Sequence, residues 1–341
     1  MNNWHTFLAS HGAVIHEQEV SHFGDLQAEL SATVTNGILA DLSHLSLLKL
    51  SGEDAASFLQ GQVTNDVKQL TGDNSQYAGY CTPKGRLIAL FLTYRHGDSL
   101  YLQLDKRLAE AITKRLRMYV LRSKVVIEDI SDNTVRMGIS GKSAETALSG
   151  LFPALPSAVH EVVSNEKGLL IRLPAGPVPR YELISDAAHA ENIWQQLRQQ
   201  LEPVGRNAWE WLEIQAGVPD IQPGTQEEFV PQMVNLDALG GINFKKGCYT
   251  GQEIVARTHY LGKVKRRTQL AHLSGERQPR PGDDVFVEGG NEPVGKIVRS
   301  APSPAGGFDV LAEVRLESLE AGKLNCNGSP LVLSPLPYNL D

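Results

Sequence analysis

Three apolar runs separated by two short polar turns fill the stretch from Tyr77 to Leu104. The turns, Thr82–Gly85 and Arg95–Asp98, contain the proline, glycine and aspartate that tight connections favour. Apolar runs joined in this way predict an antiparallel β-meander. Asp105 follows as a natural N-cap for a helix whose apolar residues recur at helical spacing from Ala109 to Leu116. We therefore predict a sheet with a helix attached to it in the first half of the chain.

The second half of the chain has a different pattern. From Val125 to Ala216, segments typical of strands alternate with segments typical of helices, and Gly217 and Pro219 end the last helix. Beyond Lys263, short alternating segments are separated by glycine, proline and asparagine turns, which is typical of a small β-barrel or sandwich. The sequence thus predicts an α+β chain with a C-terminal β domain that begins near Leu261–Val264.

Composition limits the kinds of partner. The 341 residues include 32 lysines and arginines against 39 aspartates and glutamates, a formal charge of −7. A chain with this balance does not attract nucleic acid through its net charge, so such binding would need a local basic patch. We therefore expect no stable nucleic-acid partner.

Location and redox state can be predicted as well. The amino terminus lacks a basic start followed by an apolar stretch, so we expect no secretory signal. The run Leu87–Leu92 is far shorter than the ~20 apolar residues of a membrane span. Three widely spaced cysteines, Cys81, Cys248 and Cys326, fit a reducing compartment, and the chain has no Cys-x-x-Cys pair for a metal. We expect a cytoplasmic protein without a membrane partner or a resident metal.

Cys248 is the strongest candidate for chemistry. It lies between Gly247 and Gly251, just after two lysines and just before a predicted helix. Backbone N–H groups at a helix start and nearby ammonium groups favour a thiolate, and glycines let the backbone approach a ligand closely. The alternative is a small buried side chain that fills a turn.

The residues around Cys248 have a plain structural interpretation. Thr250 and Glu253 have the spacing of a capping box, and Tyr249 and Ile254 occupy the positions of a hydrophobic staple. These four residues could serve only to start a helix.

A basic segment follows this helix. Lys263, Lys265, Arg266 and Arg267 lie within five positions, and together with Lys245 and Lys246 they form a group that we call the basic rim. They are either a solvated strand edge that discourages aggregation or a surface for a polyanionic tail or an RNA backbone.

The segment Lys246–Glu253, with the sequence KGCYTGQE, resembles the signature of the YgfZ family of folate-binding proteins. These proteins are relatives of the glycine-cleavage T-protein that support iron–sulfur enzymes. Further stretches resemble the same family in the same order, and they are Asp41–Ser43, Phe58–Val67, Thr82–Arg86, Leu121–Val125, Ala216–Pro219 and Phe229–Leu236.

This resemblance implies an α+β fold with three domains in a ring around a central folate channel. Residues 1–50 and 124–262 would form a discontinuous folate-binding domain. Residues 51–123 would form an inserted α+β domain with the β-meander and its helix, and residues 263–341 a small C-terminal β-barrel.

The resemblance also implies a ligand, which is tetrahydrofolate or a one-carbon derivative. Glu182 matches the T-protein glutamate that hydrogen-bonds the pterin, a role that suits a carboxylate because it accepts two N–H bonds. Asp105 falls near a T-protein asparagine that contacts folate. Within the signature, Cys248 is the functional thiol, and the candidate cofactor-binding residues are Lys246, Gly247, Tyr249 and Gln252.

Two positions depart from the T-protein pattern. Ala89 takes the place of the catalytic aspartate, which argues against classical aminomethyl transfer. Glu213 takes the place of an arginine, and an acid there would repel the glutamate tail of a folate.

We therefore predict a tetrahydrofolate-binding accessory protein that helps to assemble or repair iron–sulfur clusters in client enzymes. Its partners would be folate and iron–sulfur clients or assembly factors. Cys248 would either attack a folate-borne one-carbon unit or a damaged sulfur species, or make a transient iron–sulfur contact. The alternatives are a folate-dependent one-carbon transferase or demethylase, and a factor linked to tRNA modification that acts through the basic rim.

Overall fold

The computed structural model of the chain describes residues 3–260 and 262–340. Its helices are α1 (Asn3–Ser10), α2 (Leu26–Thr35), α3 (Ala55–Gln60), α4 (Lys106–Val120), α5 (Ala144–Ser149), α6 (Ala187–Leu197), α7 (Arg206–Gln215), α8 (Gln252–Tyr260) and α9 (Ser318–Ala321). No helix within these ranges is long and apolar enough to cross a lipid bilayer.

The strands belong to two open sheets, a closed barrel and a small hairpin. They are β1 (Val14–His16), β2 (Glu19–His22), β3 (Gly37–Asp41), β4 (Leu45–Ser51), β5 (Ser75–Cys81), β6 (Leu87–His96), β7 (Ser99–Asp105), β8 (Val126–Asp129), β9 (Thr134–Gly141), β10 (Val162–Asn165), β11 (Gly168–Leu173), β12 (Arg180–Asp186), β13 (Glu202–Val204), β14 (Arg266–Leu273), β15 (Asp284–Val287), β16 (Pro293–Pro302), β17 (Phe308–Arg315), β18 (Leu324–Cys326) and β19 (Ser329–Ser334).

The first open sheet has the strand order β5-β6-β7-β4-β8 and is antiparallel throughout. It contains the predicted meander, and Asp105 caps α4 by accepting a hydrogen bond of 2.8 Å from the backbone N–H of Arg107. Because β4 pairs with β7 of the meander and β8 pairs with β4, this sheet spans residues 45–129 and extends beyond both ends of the predicted insertion of 51–123. The division into domains itself stays a prediction.

The second open sheet has the order β10-β11-β12-β9-β3-β13, with only β13 and β3 parallel. Alternate side chains of its strands point to opposite faces. On β12, Tyr181 and Leu183 belong to a core that also contains Trp4 and Trp194 from α1 and α6. Ile184 belongs instead to the core shared with the first sheet, so Glu182 points toward the first sheet as well.

The C-terminal strands close into a barrel of order β14-β17-β16-β15-β18-β19, with an apolar core of its own. The predicted α+β fold with a small C-terminal barrel is therefore confirmed. Leu261, where the predicted boundary begins, lies outside the described residues. A bulge between Ile297 and Arg299 interrupts the pairing of β16 with β17. Bulges of this kind redirect side chains, and Arg299 points away from the barrel toward α7.

Candidate functional site

A small cavity lies where the two open sheets face each other, and its volume is about 60 Å³. Strands β6, β7 and β12, helix α7 and the segment after α7 form its wall, and the barrel contributes Arg299. The polar and aromatic residues that line it are His44, Tyr77, Gln103, Asp105, Glu182, Trp209, Glu213, Asp220 and Arg299. The structure thus brings the two predicted folate contacts, Glu182 and Asp105, into one cavity.

Glu182 is the most unusual group in this cavity. Its side chain is 1% exposed, and its Oε2 accepts a hydrogen bond of 2.9 Å from Nε2 of Gln103. Within the described residues, Oε1 of Glu182 and Oε1 of Gln103 have no hydrogen-bond partner. Burial raises the pKa of Glu182 to about 7, although the hydrogen bond from Gln103 and the charge of Arg136 oppose that rise. The cavity therefore offers two buried acceptor oxygens to a ligand with N–H donors.

The rest of the lining is rich in carboxylates. Asp105 is 2% exposed and pairs with the guanidinium of Arg107. Burial raises the pKa of Asp220 to about 7, and the neighbouring carboxylate of Asp105 adds to this rise. A ligand in the cavity would thus meet acceptors on several sides.

Arg299 brings a guanidinium from the barrel into this acidic setting. Its Nε donates to Oε1 of Glu210 at 2.6 Å, and its Nη1 donates to the carbonyl of Val218 at 3.1 Å and lies 3.5 Å from Oε2 of Glu213. Burial alone would raise the pKa of Glu210, but Arg299 brings it down to about 2. Arg299 therefore connects the barrel to α7 and to the segment that follows it.

Glu213 does not face the cavity as an unpaired acid. Arg180 forms an ion pair with it, and Arg299 lies on its other side. The guanidinium carbon of Arg180 also lies 4.7 Å from the ring centre of Trp209. A Cβ atom at Gly138 would lie 2.6 Å from this ring, so glycine is required for Trp209 to pack against β9. Repulsion of a folate tail by Glu213, as expected from the sequence, is weakened by these two arginines.

The Cys248 loop, by which we mean residues 245–251, lies elsewhere on the chain. Cys248 and Gly247 are exposed, Tyr249 and Lys246 are buried, and Gln252 begins α8. Among the described residues, the lining of the cavity includes none of these five. The structure therefore separates the predicted site residues into a cavity pair and a loop group.

Details of this loop differ from the sequence predictions. Because α8 begins at Gln252, Gly251 occupies the N-cap position and Thr250 lies one residue before it, so the predicted capping box at Thr250 is wrong. The alternative that Cys248 fills a turn as a buried side chain is wrong, because its thiol is exposed whereas Cys81 and Cys326 are buried.

The basic rim does not form a free cationic surface. Arg267 is buried and forms an ion pair with Asp237, and Arg266 forms one with Glu313. Lys246 is buried as well, and the exposed members of the rim are Lys245, Lys263 and Lys265. Half of the predicted rim is therefore engaged inside the protein, which weakens its case as a surface for polyanions.

Several cavity residues were missed at the level of sequence. Gln103 carried the clearest signal, because it interrupts the apolar strand β7 at a position that points inward. Arg299 and Asp220 gave no such signal, because they are distant in sequence from Glu182. In the described ranges, no cluster of three or more histidine, cysteine, aspartate or glutamate side chains has the arrangement of a metal site.

Residues 5–172 match the family model of the GCVT N-terminal domain. Over the whole chain, the structure resembles the glycine cleavage system aminomethyltransferase T from Bartonella henselae, with a TM-score of 0.78 and 16% identity, covering 98% of this chain and 96% of that chain. The chain has a T-protein-like fold. A heterotetrameric sarcosine oxidase from Corynebacterium sp. U-96 matches 51% of this T-protein-like chain and 90% of its own, with 16% identity and a TM-score of 0.37.

Proposed function

We propose that this protein binds tetrahydrofolate in the cavity between the sheets and acts in the cytoplasm as an accessory factor for the assembly or repair of iron–sulfur clusters. The observation that carries the folate part is the buried carboxylate of Glu182, which keeps one oxygen without a partner in the described structure. The iron–sulfur part draws on the resemblance of the Lys246–Glu253 segment to the YgfZ signature and on the exposed thiol of Cys248.

The donor and acceptor pattern of the cavity suits a pterin. The amino-pyrimidine side of a pterin presents adjacent N–H donors, which match the free Oε1 atoms of Glu182 and Gln103. A carboxylate that accepts such bonds forms charge-assisted hydrogen bonds, which are stronger than neutral ones. Trp209 and Tyr77 supply aromatic walls of the same cavity.

The size of the cavity requires it to open when a folate binds. Pockets that hold small molecules usually measure roughly 300–1,000 Å³, whereas this cavity measures about 60 Å³. The segment Gly217–Asp220 is the best candidate to move, because it lines the cavity. Side chains from other parts of the chain hold it in its present position, so release of these contacts would open the cavity. Arg299 donates to the carbonyl of Val218, and the hydroxyl of Tyr338 donates to the carbonyl of Gly217 at 2.7 Å.

Cys248 would act on the iron–sulfur client rather than on the pterin. Thiolates are the preferred ligands of iron–sulfur clusters, and an exposed thiol can reach a cluster at the surface of another protein. In this proposal, Cys248 gives up its proton to water and its thiolate binds iron while the client cluster is assembled or repaired. When a ligand of the client replaces the thiolate on iron, Cys248 takes up a proton again.

A titration tests the folate part. Tetrahydrofolate is added to the full-length protein under reducing conditions, and tryptophan fluorescence is followed. We expect a saturable change that Trp209→Phe removes and Trp194→Phe keeps, because Trp209 lines the cavity and Trp194 packs in the core beside α1. No saturable change in the wild type, together with no heat of binding by calorimetry, would contradict folate binding.

A complementation assay tests the thiol. In a strain that lacks this protein, we expect Cys248→Ser to abolish recovery of iron–sulfur enzyme activity, because the variant removes the soft ligand and nearly keeps the shape. Cys326→Ala, which changes a buried thiol in the barrel, is the matched control and should complement. Full recovery with Cys248→Ser would show that the thiol has no such role.

A second candidate function is folate-dependent aminomethyl transfer, since the similar structure from Bartonella henselae is that of an aminomethyltransferase. Ala89 argues against it, because this fully buried side chain on β6 offers no carboxylate. Incubation with methylene-tetrahydrofolate and candidate amines tests this candidate, and catalytic turnover would favour it over the accessory role.

A further inference from the structure

The side chains on either side of the exposed Cys248 loop tip are buried. Lys246 is 9% exposed and Tyr249 is 8% exposed, while Gly247 and Cys248 between them are exposed. A long cationic side chain is rarely buried without a specific set of partners. The partners of Lys246 therefore show what fixes this loop.

Within the described residues, the hydrogen-bond partners of the Lys246 ammonium group are backbone carbonyls. Its Nζ donates to the carbonyl oxygens of Gln60, Val63 and Asn65, at 2.7, 2.6 and 2.8 Å. These bonds use all three hydrogens of the ammonium. The ring centre of Tyr249 lies 5.0 Å from the same Nζ atom, which adds a cation–π contact from within the loop. We call these three carbonyls the carbonyl cage.

The loop that forms the carbonyl cage is also held by hydrogen bonds that do not involve Lys246. The side chain of Gln60 donates to Asp66 and accepts from the backbone of Val67, so it closes the loop across its base. The side chain of Asn65 donates to the carbonyls of Tyr77 and Gly240. This loop is the central part of the Phe58–Val67 stretch, so its polar residues have a structural role: they point three carbonyls at one place.

A second anchor lies at the other end of the Cys248 loop. Gly251 has a φ of +85°, and a Cβ atom there would lie 2.5 Å from the carbonyl oxygen of Thr82. Glycine is therefore needed for the chain to pass so close to the turn between β5 and β6. The backbone N–H of Thr250 also donates to the carbonyl of Gly61. Cys248 thus lies in a short span between two fixed points.

We propose that Lys246 is the positioning residue of Cys248, and that it acts by seating its ammonium group in the carbonyl cage rather than by binding folate. The proposal reassigns Lys246 from the cofactor to the loop, and its link to iron–sulfur chemistry rests on the proposed function of Cys248. Without the ammonium group, the carbonyls of Gln60, Val63 and Asn65 lose a common partner and the loop loses its first fixed point. Lys245, the exposed neighbour, has no part in the cage.

Hydrogen exchange measured by mass spectrometry tests the anchor in the full-length protein. We expect Lys246→Ala to raise the amide exchange rates of residues 245–251 about tenfold or more, since each hydrogen bond to a charged group is worth about a factor of ten. Lys245→Ala is the matched control and should leave these rates unchanged. Should Lys246→Ala fail to fold, Lys246→Met keeps the apolar stem of the side chain and is measured in the same way.

Chemical rescue separates an anchoring ammonium from a general packing role. An excess of butylammonium should slow exchange of the Cys248 loop in Lys246→Ala, because it returns a cation to the carbonyl cage, whereas butanol should have no effect. Unchanged exchange rates in Lys246→Ala and Lys246→Met, or equal rescue by butanol, would overturn the proposal. The Cys248→Ser complementation assay tests the proposed function separately, because its result does not depend on how the loop is held.

Discussion

The cavity between the sheets and the Cys248 loop use charge in opposite ways. In the cavity, the carboxylate of Glu182 is buried and that of Asp220 is half-buried, and loss of hydration raises the pKa of each to about 7. In the loop, a buried ammonium satisfies backbone carbonyls and leaves a thiol exposed. The first arrangement suits recognition of a small molecule and the second suits contact with another protein. On the proposed function, ligand binding and thiol chemistry can therefore be altered independently.

Removal of the guanidinium at the edge of the cavity should have the largest effect. Arg299→Met leaves Glu210 and Glu213 buried without this partner, and breaking a buried ion pair in this way costs about 3–5 kcal/mol. Urea denaturation at neutral pH measures the free energy of unfolding. Amide exchange in the Cys248 loop under native conditions should stay as in the wild type.

Lys296→Met is the matched control for Arg299→Met. Lys296 lies on the same strand, β16, and its ion pairs with Asp284 and Glu228 are partly exposed. Such surface pairs are worth about 0–1 kcal/mol. Equal losses in the free energy of unfolding would show that the buried ion pairs of Arg299 stabilise the protein no more than the partly exposed pairs of Lys296.

Neutralisation of Glu182 should weaken ligand binding without affecting the thiol. Glu182→Gln replaces a charge-assisted acceptor by a neutral amide, which costs about 1.5–3 kcal/mol and should raise the Kd for tetrahydrofolate roughly 10- to 100-fold. Calorimetry measures this Kd. Glu128→Gln, at an exposed position on β8, should leave it unchanged. A Kd that Glu182→Gln does not alter would exclude Glu182 from the site.

The pH dependence of binding should be the smallest of these effects. Free Glu182 has a pKa of about 7. In the proposed site a pterin binds the charged form of Glu182, so binding must release the proton below that pH. We expect the Kd to rise about tenfold between pH 8 and pH 6, because each pH unit below the pKa costs a factor of ten. In Glu182→Gln, the change of log Kd with pH should become smaller, because only Asp220 still contributes to it. If the change with pH is the same as in the wild type, the released proton belongs to Asp220 instead.

The raised pKa of Glu182 also determines whether the free energy of unfolding rises or falls with pH. The folded protein holds the Glu182 proton with a pKa of about 7, above the ordinary value of 4.5. Between these two pH values the folded state binds more protons at this site than the unfolded chain does. The contribution of Glu182 to stability is therefore present below pH 4.5 and is lost as the pH rises through 7.

Local patterns predicted much of the fold. The meander and its helix were predictable because turn residues and apolar spacing act over a few positions, and Asp105 caps α4 as its sequence context indicates. The region before Leu45 was not predicted, since β3 is a short buried strand whose parallel partner, β13, lies more than 150 residues away along the chain. Pairing of that kind is decided by tertiary packing, which one sequence does not display.

The candidate site was predictable only in part. Glu182 was identified through resemblance to a family, and Cys248 already through its neighbouring glycines and lysines. The structure gives the first a cavity and the second an exposed position. Arg299 was not predicted, because it reaches Glu210 from a different layer of the molecule through a bulge. Lys246 was predicted as a cofactor contact, and its three hydrogen bonds to backbone carbonyls were not predicted, because nothing in the sequence shows three carbonyls converging on one ammonium.

The contact of Tyr338 with Gly217 has a practical consequence. Its hydroxyl also accepts a hydrogen bond of 3.4 Å from Nδ2 of Asn235, so the chain near its carboxyl end is tied to the segment beside the cavity. An affinity tag or fluorescent fusion attached just after residue 338 would disturb these two hydrogen bonds of Tyr338. Expression vectors for binding studies should therefore carry their tags at the amino end, where α1 packs on the far side of the second sheet.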